Sequence, residues 1–137
     1  MWCGGTRSVA VLRLTLVCAL GGLLPTSAVG RDAPSPARET ALDLCDRAAA
    51  APWDTDAADV PSRVAFRDVH AASAIPTCRR ATDMNPGVRR LSFQLGRAYD
   101  RQGANQDAYH AYKRAADLRS AAAKVNIGIL YQQGRRF

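Results

Sequence analysis

The chain has 137 residues, 47% of them hydrophobic and 23% charged, which excludes a low-complexity disordered polymer and sets one compact domain as the ceiling. Its formal charge of +7 favours anionic partners, but the arginines are spread along the sequence without the interleaved aromatics of a base-stacking platform, so nucleic acid is not the expected partner. With three phenylalanines and abundant alanine, burial has to come from many small contacts at close helix spacing, which gives an all-α expectation.

Residues 1–30 read as a secretory signal peptide that is cleaved off. Arg7 and Arg13 form its basic start, Leu14 to Leu24 is uncharged and apolar, and Pro25 breaks the run. Such a run is too short for a bilayer core of ~30 Å, so no stable membrane span is expected after cleavage. Cleavage after Ala28 or after Gly30 satisfies the small-residue rule equally. Losing Arg7 and Arg13 lowers the formal charge from +7 to +5 and leaves Cys45 and Cys78 as the mature cysteines. A bridge over their 33-residue separation (78 − 45) is worth roughly 3 to 4 kcal/mol by loop closure in an oxidising compartment. The rivals are two buried thiols or a metal site, and no further cysteine or histidine pair completes a ligand set.

After the signal, residues 31–38 carry Pro34 and Pro36 and read as a flexible lead-in. From Glu39 the apolar spacing is helical through Leu42, Cys45, Ala48 and Ala49, ending before Pro52. Trp53 to Phe66 is a loop with three acids, Asp54, Asp56 and Asp59. A calcium loop starting at Asp54 fails, because Asp59 stands where the turn glycine belongs and Ala65 where the bidentate glutamate belongs. Arg67 to Asp83 is helical again, with Pro76 either kinking it or opening a shorter helix. Segment 39–84 is thus a helical hairpin that a Cys45–Cys78 bridge would tie. Asn85 and Pro86 read as the cap and first turn of a helix ending near Gly103, and Asn105 to Leu118 as its return helix.

Within that second hairpin Leu95, Gly96 and Tyr99 are followed by Ala108, Tyr112 and Ala115. The small residues let two antiparallel helices approach while the larger ones fill the space beside the contact. Ile127, Gly128 and Tyr131 then repeat Leu95, Gly96 and Tyr99 at a constant shift of 32 (127 − 95), an internal repeat. Together with the alanines at 115–116 and 121–123, the pattern resembles the SEL-one-like branch of the tetratricopeptide superfamily over residues 87–137. Arg119, where that family often has glycine, and Ser120, where ordinary tetratricopeptide repeats have proline, depart from it. Cys45 with Asp46, then Ile75 and Cys78, are similar to the regions preceding such repeats in exported bacterial proteins.

The resemblance implies a short α-solenoid of helix-turn-helix repeats over 85–137, the second incomplete, in an exported, periplasmic or secreted protein. It also implies a concave binding face lined by Arg90, Phe93, Arg97, Asp100 and Arg101, continued by Val125, Ile129 and Gln132. The expected role is a non-enzymatic adaptor holding another protein or an acidic peptide. A hydrolase-associated repeat protein and a truncated remnant are the alternatives. His70 and His110 fall in no zinc or nucleophile motif, there is no glycine-rich phosphate loop, and Asp43 and Asp46 sit at helical spacing beside Arg47. No cofactor, metal or catalytic residue is therefore expected.

Overall fold

A computed structural model describes residues 36–137, with side chains from Thr40 onward; the expected signal peptide and most of the lead-in lie outside the described residues. Regular structure among the described residues is entirely helical: α1 (Pro36–Ala49), α2 (Ala71–Met84), α3 (Arg89–Gln102), α4 (Asn105–Asp117) and α5 (Ala121–Gln132), with 3-10 turns at Thr55–Ala57 and Phe66–Asp68. Each helix packs on its neighbour in sequence, and α1 also reaches α3. None of these helices is long and apolar enough to cross a membrane.

Helix α1 begins at Pro36, inside the expected lead-in, because a proline in the first turn gives up no hydrogen bond and presets the helical φ. Ala41, Cys45 and Ala49 are its buried stripe, with Leu42 and Ala48 at the margins, the three-and-four spacing that the sequence shows. In α2 the buried residues are Ala74, Cys78, Ala81 and Thr82. Pro76 neither kinks α2 to a stop nor opens it. It stands inside an unbroken helix, on an exposed face shared with Ala72, whose carbonyl loses its helical donor where water can replace it. The sulfurs of Cys45 and Cys78 lie at disulfide bonding distance, with Cα atoms 4.7 Å apart, joining α1 to α2.

Asn85 does not open α3. It closes α2: its amide nitrogen donates to the Ala81 carbonyl at 2.9 Å from a buried position, and α3 starts four residues later behind Val88, without a side-chain cap. Every residue from Leu91 to Tyr99 is buried, so α3 is the central helix and carries Ser92, Gln94 and Arg97 into the interior with it. A helix enclosed on all sides has to satisfy those polar groups internally. Asp46 of α1 does so for one side, accepting from Gln94 Nε2 at 2.8 Å and from both Nε and Nη2 of Arg90 at 3.1 Å.

The turn from α3 to α4 uses Gly103 at φ +83°, with Ala104 N–H closing back onto Tyr99 O at 3.0 Å. The turn from α4 to α5 has the same form without the glycine. Arg119 takes φ +70°, Ser120 N–H donates to Ala115 O at 2.9 Å, and Ser120 Oγ caps α5 by accepting from Ala123 N–H at 3.3 Å. The sequence departure at Arg119 is therefore a residue held in a glycine-like conformation.

Loop 50–66 is held by two arginines together with backbone bonds of its own, among them Val64 N–H to Ala50 O at 2.7 Å. Arg63 bonds three carbonyls of the loop itself, those of Val60, Pro52 and Ala58, at 3.0, 2.9 and 2.8 Å. Arg97 reaches out of α3 to the carbonyls of Ala49 and Val64. The loop acids have local roles as well. Asp54 accepts from Asp56 N–H at the first 3-10 turn, and Asp56 pairs with Arg89. Burial pushes the Asp54 carboxyl above its ordinary range, whereas the Arg89 bond holds Asp56 below it.

Candidate functional site

Between α3, α5 and loop 50–66 lies a cleft of about 210 Å³, lined by Trp53, Phe66, Arg97, Asp100, Asn126, Ile129, Gln133 and Arg135. Its rim is apolar and open: Trp53 is 54% exposed, Phe66 42% and Ile129 39%, an unusual grouping of large hydrophobic surface. Trp53 stands on the edge of the buried Phe93 ring, centroids 5.6 Å apart, which props it over the end of α3. Phe66 opens the second 3-10 turn, so both aromatics come from the arginine-pinned loop.

The polar side of the cleft is a connected chain. Asn126 Nδ2 donates to Tyr112 Oη at 2.9 Å, and Tyr112 O–H donates to Asp100 Oδ2 at 3.2 Å. The other Asp100 oxygen takes Arg135 Nη1, which also reaches Asn105 Oδ1 at 3.3 Å. Tyr112 lies beneath the floor, fully buried. That burial, helped by the charge of Asp100, pushes its phenol far above the ordinary range, so the hydroxyl stays protonated and keeps its place as a donor. Desolvation pulls the Arg97 guanidinium below its ordinary value while the charges of Asp54 and Asp100 hold it up. Around this network the floor carries two arginines and one aspartate, a net positive charge.

The residues expected to form a concave face on α3 fall in different surroundings. Arg97, Asp100 and Ile129 do line the cleft. Phe93 is core, fully buried against Trp53 and Tyr112, and Arg97 is 1% exposed with its forks on backbone carbonyls. Arg90 is bound bidentately to Asp46, and Arg101 is exposed and donates to Arg67 O at 3.3 Å. Val125 and Gln132 are exposed but outside the cleft lining. The arginine forks of α3 are engaged within the chain and do not line an open groove: Arg90 is held by the Asp46 carboxylate, Arg97 by the carbonyls of Ala49 and Val64, and Arg101 by that of Arg67.

Residues that sequence reasoning missed are Trp53, Phe66, Asn126, Gln133 and Arg135. Two of them gave a signal, since Trp53 and Phe66 are large aromatics at either end of a proline- and aspartate-rich stretch with no apolar periodicity to bury them. The repeat residues Leu95, Tyr99, Ala108, Tyr112 and Ala115 are buried together around Gly96, whereas Ile127 is half-buried and Gly128 and Tyr131 are exposed.

Other concavities offer less. One of about 270 Å³ gathers Asp43, Asp46, Asp56 and Asp59, and Arg47, Arg90 and Arg89 already pair with the first three. Another, of about 250 Å³ between α2, α3 and α4, mixes Arg79, Asp83, Asp107, His110 and Arg114, with Arg79 bonded to the Tyr99 hydroxyl. His70 precedes α2 and lies outside that concavity. Among the described residues no three histidine, cysteine, aspartate or glutamate side chains converge to hold a metal ion. No family model matches the chain, and no curated protein or solved structure matches it either.

Proposed function

We propose that this chain is an exported adaptor of helical-repeat type, with α3 and α4 as one repeat and α5 as the first helix of another, and that it holds a partner protein in the cleft between α3, α5 and the loop. The observation that carries the reading is the rim: three large hydrophobic side chains stand exposed around a floor of fixed polar groups, the composition of a surface that recognises a partner. The repeat assignment is supported by the ring of Tyr112 lying on Gly96 and by the left-handed Arg119 at the glycine position of the resemblance. Export is supported by the basic and apolar order of residues 1–30 and by a cysteine pair at bonding distance.

The test is site-specific photo-crosslinking of the chain directed to the periplasm, with a benzophenone side chain at position 66 or, as control, at the exposed position 80 of α2. A discrete adduct from 66 that is absent from 80 is the expected result, on a chain whose intact mass has lost the signal. Equal adducts from both positions, or none from 66, would sink the cleft as the binding surface. An unshortened chain would remove export.

A further inference from the structure

We infer that the cleft takes an extended peptide segment in which an apolar side chain neighbours an acidic one, the carboxylate meeting Arg135. The inference rests on the adaptor reading of the same cleft and adds the chemistry of the occupant. Size comes first. At about 210 Å³ the space falls short of the ~300–1,000 Å³ of cofactor and small-molecule sites, and accommodates one or two anchoring side chains. The walls that such an anchor meets are the rings of Trp53 and Phe66 and the Ile129 side chain.

Charge selects the neighbour. Arg97 lines the floor, but both its terminal nitrogens are committed to the carbonyls of Ala49 and Val64. Asp100 is likewise engaged on both oxygens, by Tyr112 and by Arg135. Arg135 makes these bonds through Nη1 alone. Its Nε and Nη2 form no hydrogen bond among the described residues, and the side chain is 28% exposed at the mouth. A guanidinium with one free edge presents two parallel donors, the geometry that a planar carboxylate matches. Arg135 thus keeps donors to spare while sharing its charge with Asp100.

The backbone indicates that the acid is a side chain and not a chain terminus. Terminal carboxylates are captured by nests of free main-chain N–H groups. Here the N–H groups of Gln133 and Arg135 are closed onto Ile129 O and Leu130 O at 3.0 and 3.1 Å. Asn126 commits its amide nitrogen to Tyr112 and keeps its carbonyl oxygen for a main-chain N–H of the segment. A flat anionic membrane would meet the aromatic rim and Arg135 but not the buried Asn126, which favours the peptide.

The experiment uses the full chain with Trp2→Phe, so that Trp53 is the single tryptophan and its emission reports the rim. Three probes are titrated: acetyl-Ala-Leu-Glu-Ala-amide, the same peptide with Gln for Glu, and the same with Gly for Leu. Saturable blue-shifted emission with the first is expected, weakened on the order of tenfold by the Gln exchange and abolished by the Gly exchange. Arg135→Gln, checked for native helicity, is expected to make the Glu and Gln peptides equal, and Arg135→Lys to retain only part of the preference. Equal affinity of the Glu and Gln peptides for the unaltered Arg135 overturns the carboxylate and leaves the adaptor reading standing. Emission that answers phosphatidylglycerol vesicles and no peptide overturns both.

Discussion

The same short pattern occurs twice in this chain and means opposite things. In α3, Leu95-Gly96 and Tyr99 are interior: Tyr99 is 8% exposed, and a Cβ on Gly96 would fall 2.6 Å from Tyr112 Cε1 and 2.9 Å from Cγ. In α5, Ile127-Gly128 and Tyr131 lie toward the surface: Tyr131 is 61% exposed, and a Cβ on Gly128 would meet nothing within 4 Å. What differs is the covering helix. Helix α4 lays the Tyr112 ring on Gly96, and no described helix does the same for Gly128. A glycine inside a helix is unfavourable by itself, so only the first position receives compensation from packing.

Substituting the two glycines should therefore separate them by sign. Gly96→Ala forces the buried Tyr112 ring off its seat and is expected to cost about 3 kcal/mol, read as a fall in the urea midpoint. An unchanged midpoint would mean that the ring does not depend on the glycine. Next in size is Tyr112→Phe, which keeps the ring but strips the hydroxyl from Asp100 and Asn126, an expected loss of about 1 to 2 kcal/mol near neutral pH. The sign of its pH dependence follows from burial. With the folded-state pKa raised, the tyrosine's contribution is whole below the unfolded value of ~10 and declines as pH climbs above it, so the variant should show a shallower alkaline loss than the parent. Parallel alkaline limbs in the two proteins would refute the assignment. The smallest effect belongs to Gly128→Ala, expected to stabilise by about 0.8 kcal/mol through helix propensity alone. A loss of stability there would show that α5 is covered after all, and the two copies would then be alike.

The helical architecture was legible because the residues that encode it act locally. Apolar spacing located α1, cap and turn residues located α3 and α4, the repeated Ile127, Gly128 and Tyr131 marked α5, and counting cysteines left Cys45 and Cys78 as the pair that the structure brings to bonding distance. The Gly96 contact could be seen from Ala108, Tyr112 and Ala115 downstream. The cleft was much less legible, for reasons of distance. Arg90 and Arg97 looked like recognition residues in the sequence, but their partners, Asp46 and the carbonyls of Ala49 and Val64, lie 33 to 48 positions away. Their separation in the chain carries no periodic signal. Asn85 misled for a related reason, since a short amide before a proline suits the start of one helix as well as the end of another. Arg119 shows the reverse case: its φ is fixed by the turn into α5, although the residue itself argues against that conformation.

Consider finally what Arg63 and Arg97 grip. Each of their contacts to loop 50–66 is made to a main-chain oxygen, a group present whatever side chain the residue carries. These grips hold the loop without using the side chains of Trp53 and Phe66, while Trp53 adds its own contact on the Phe93 ring. The two rings are thus carried on a backbone whose grips by Arg63 and Arg97 all fall on main-chain oxygens.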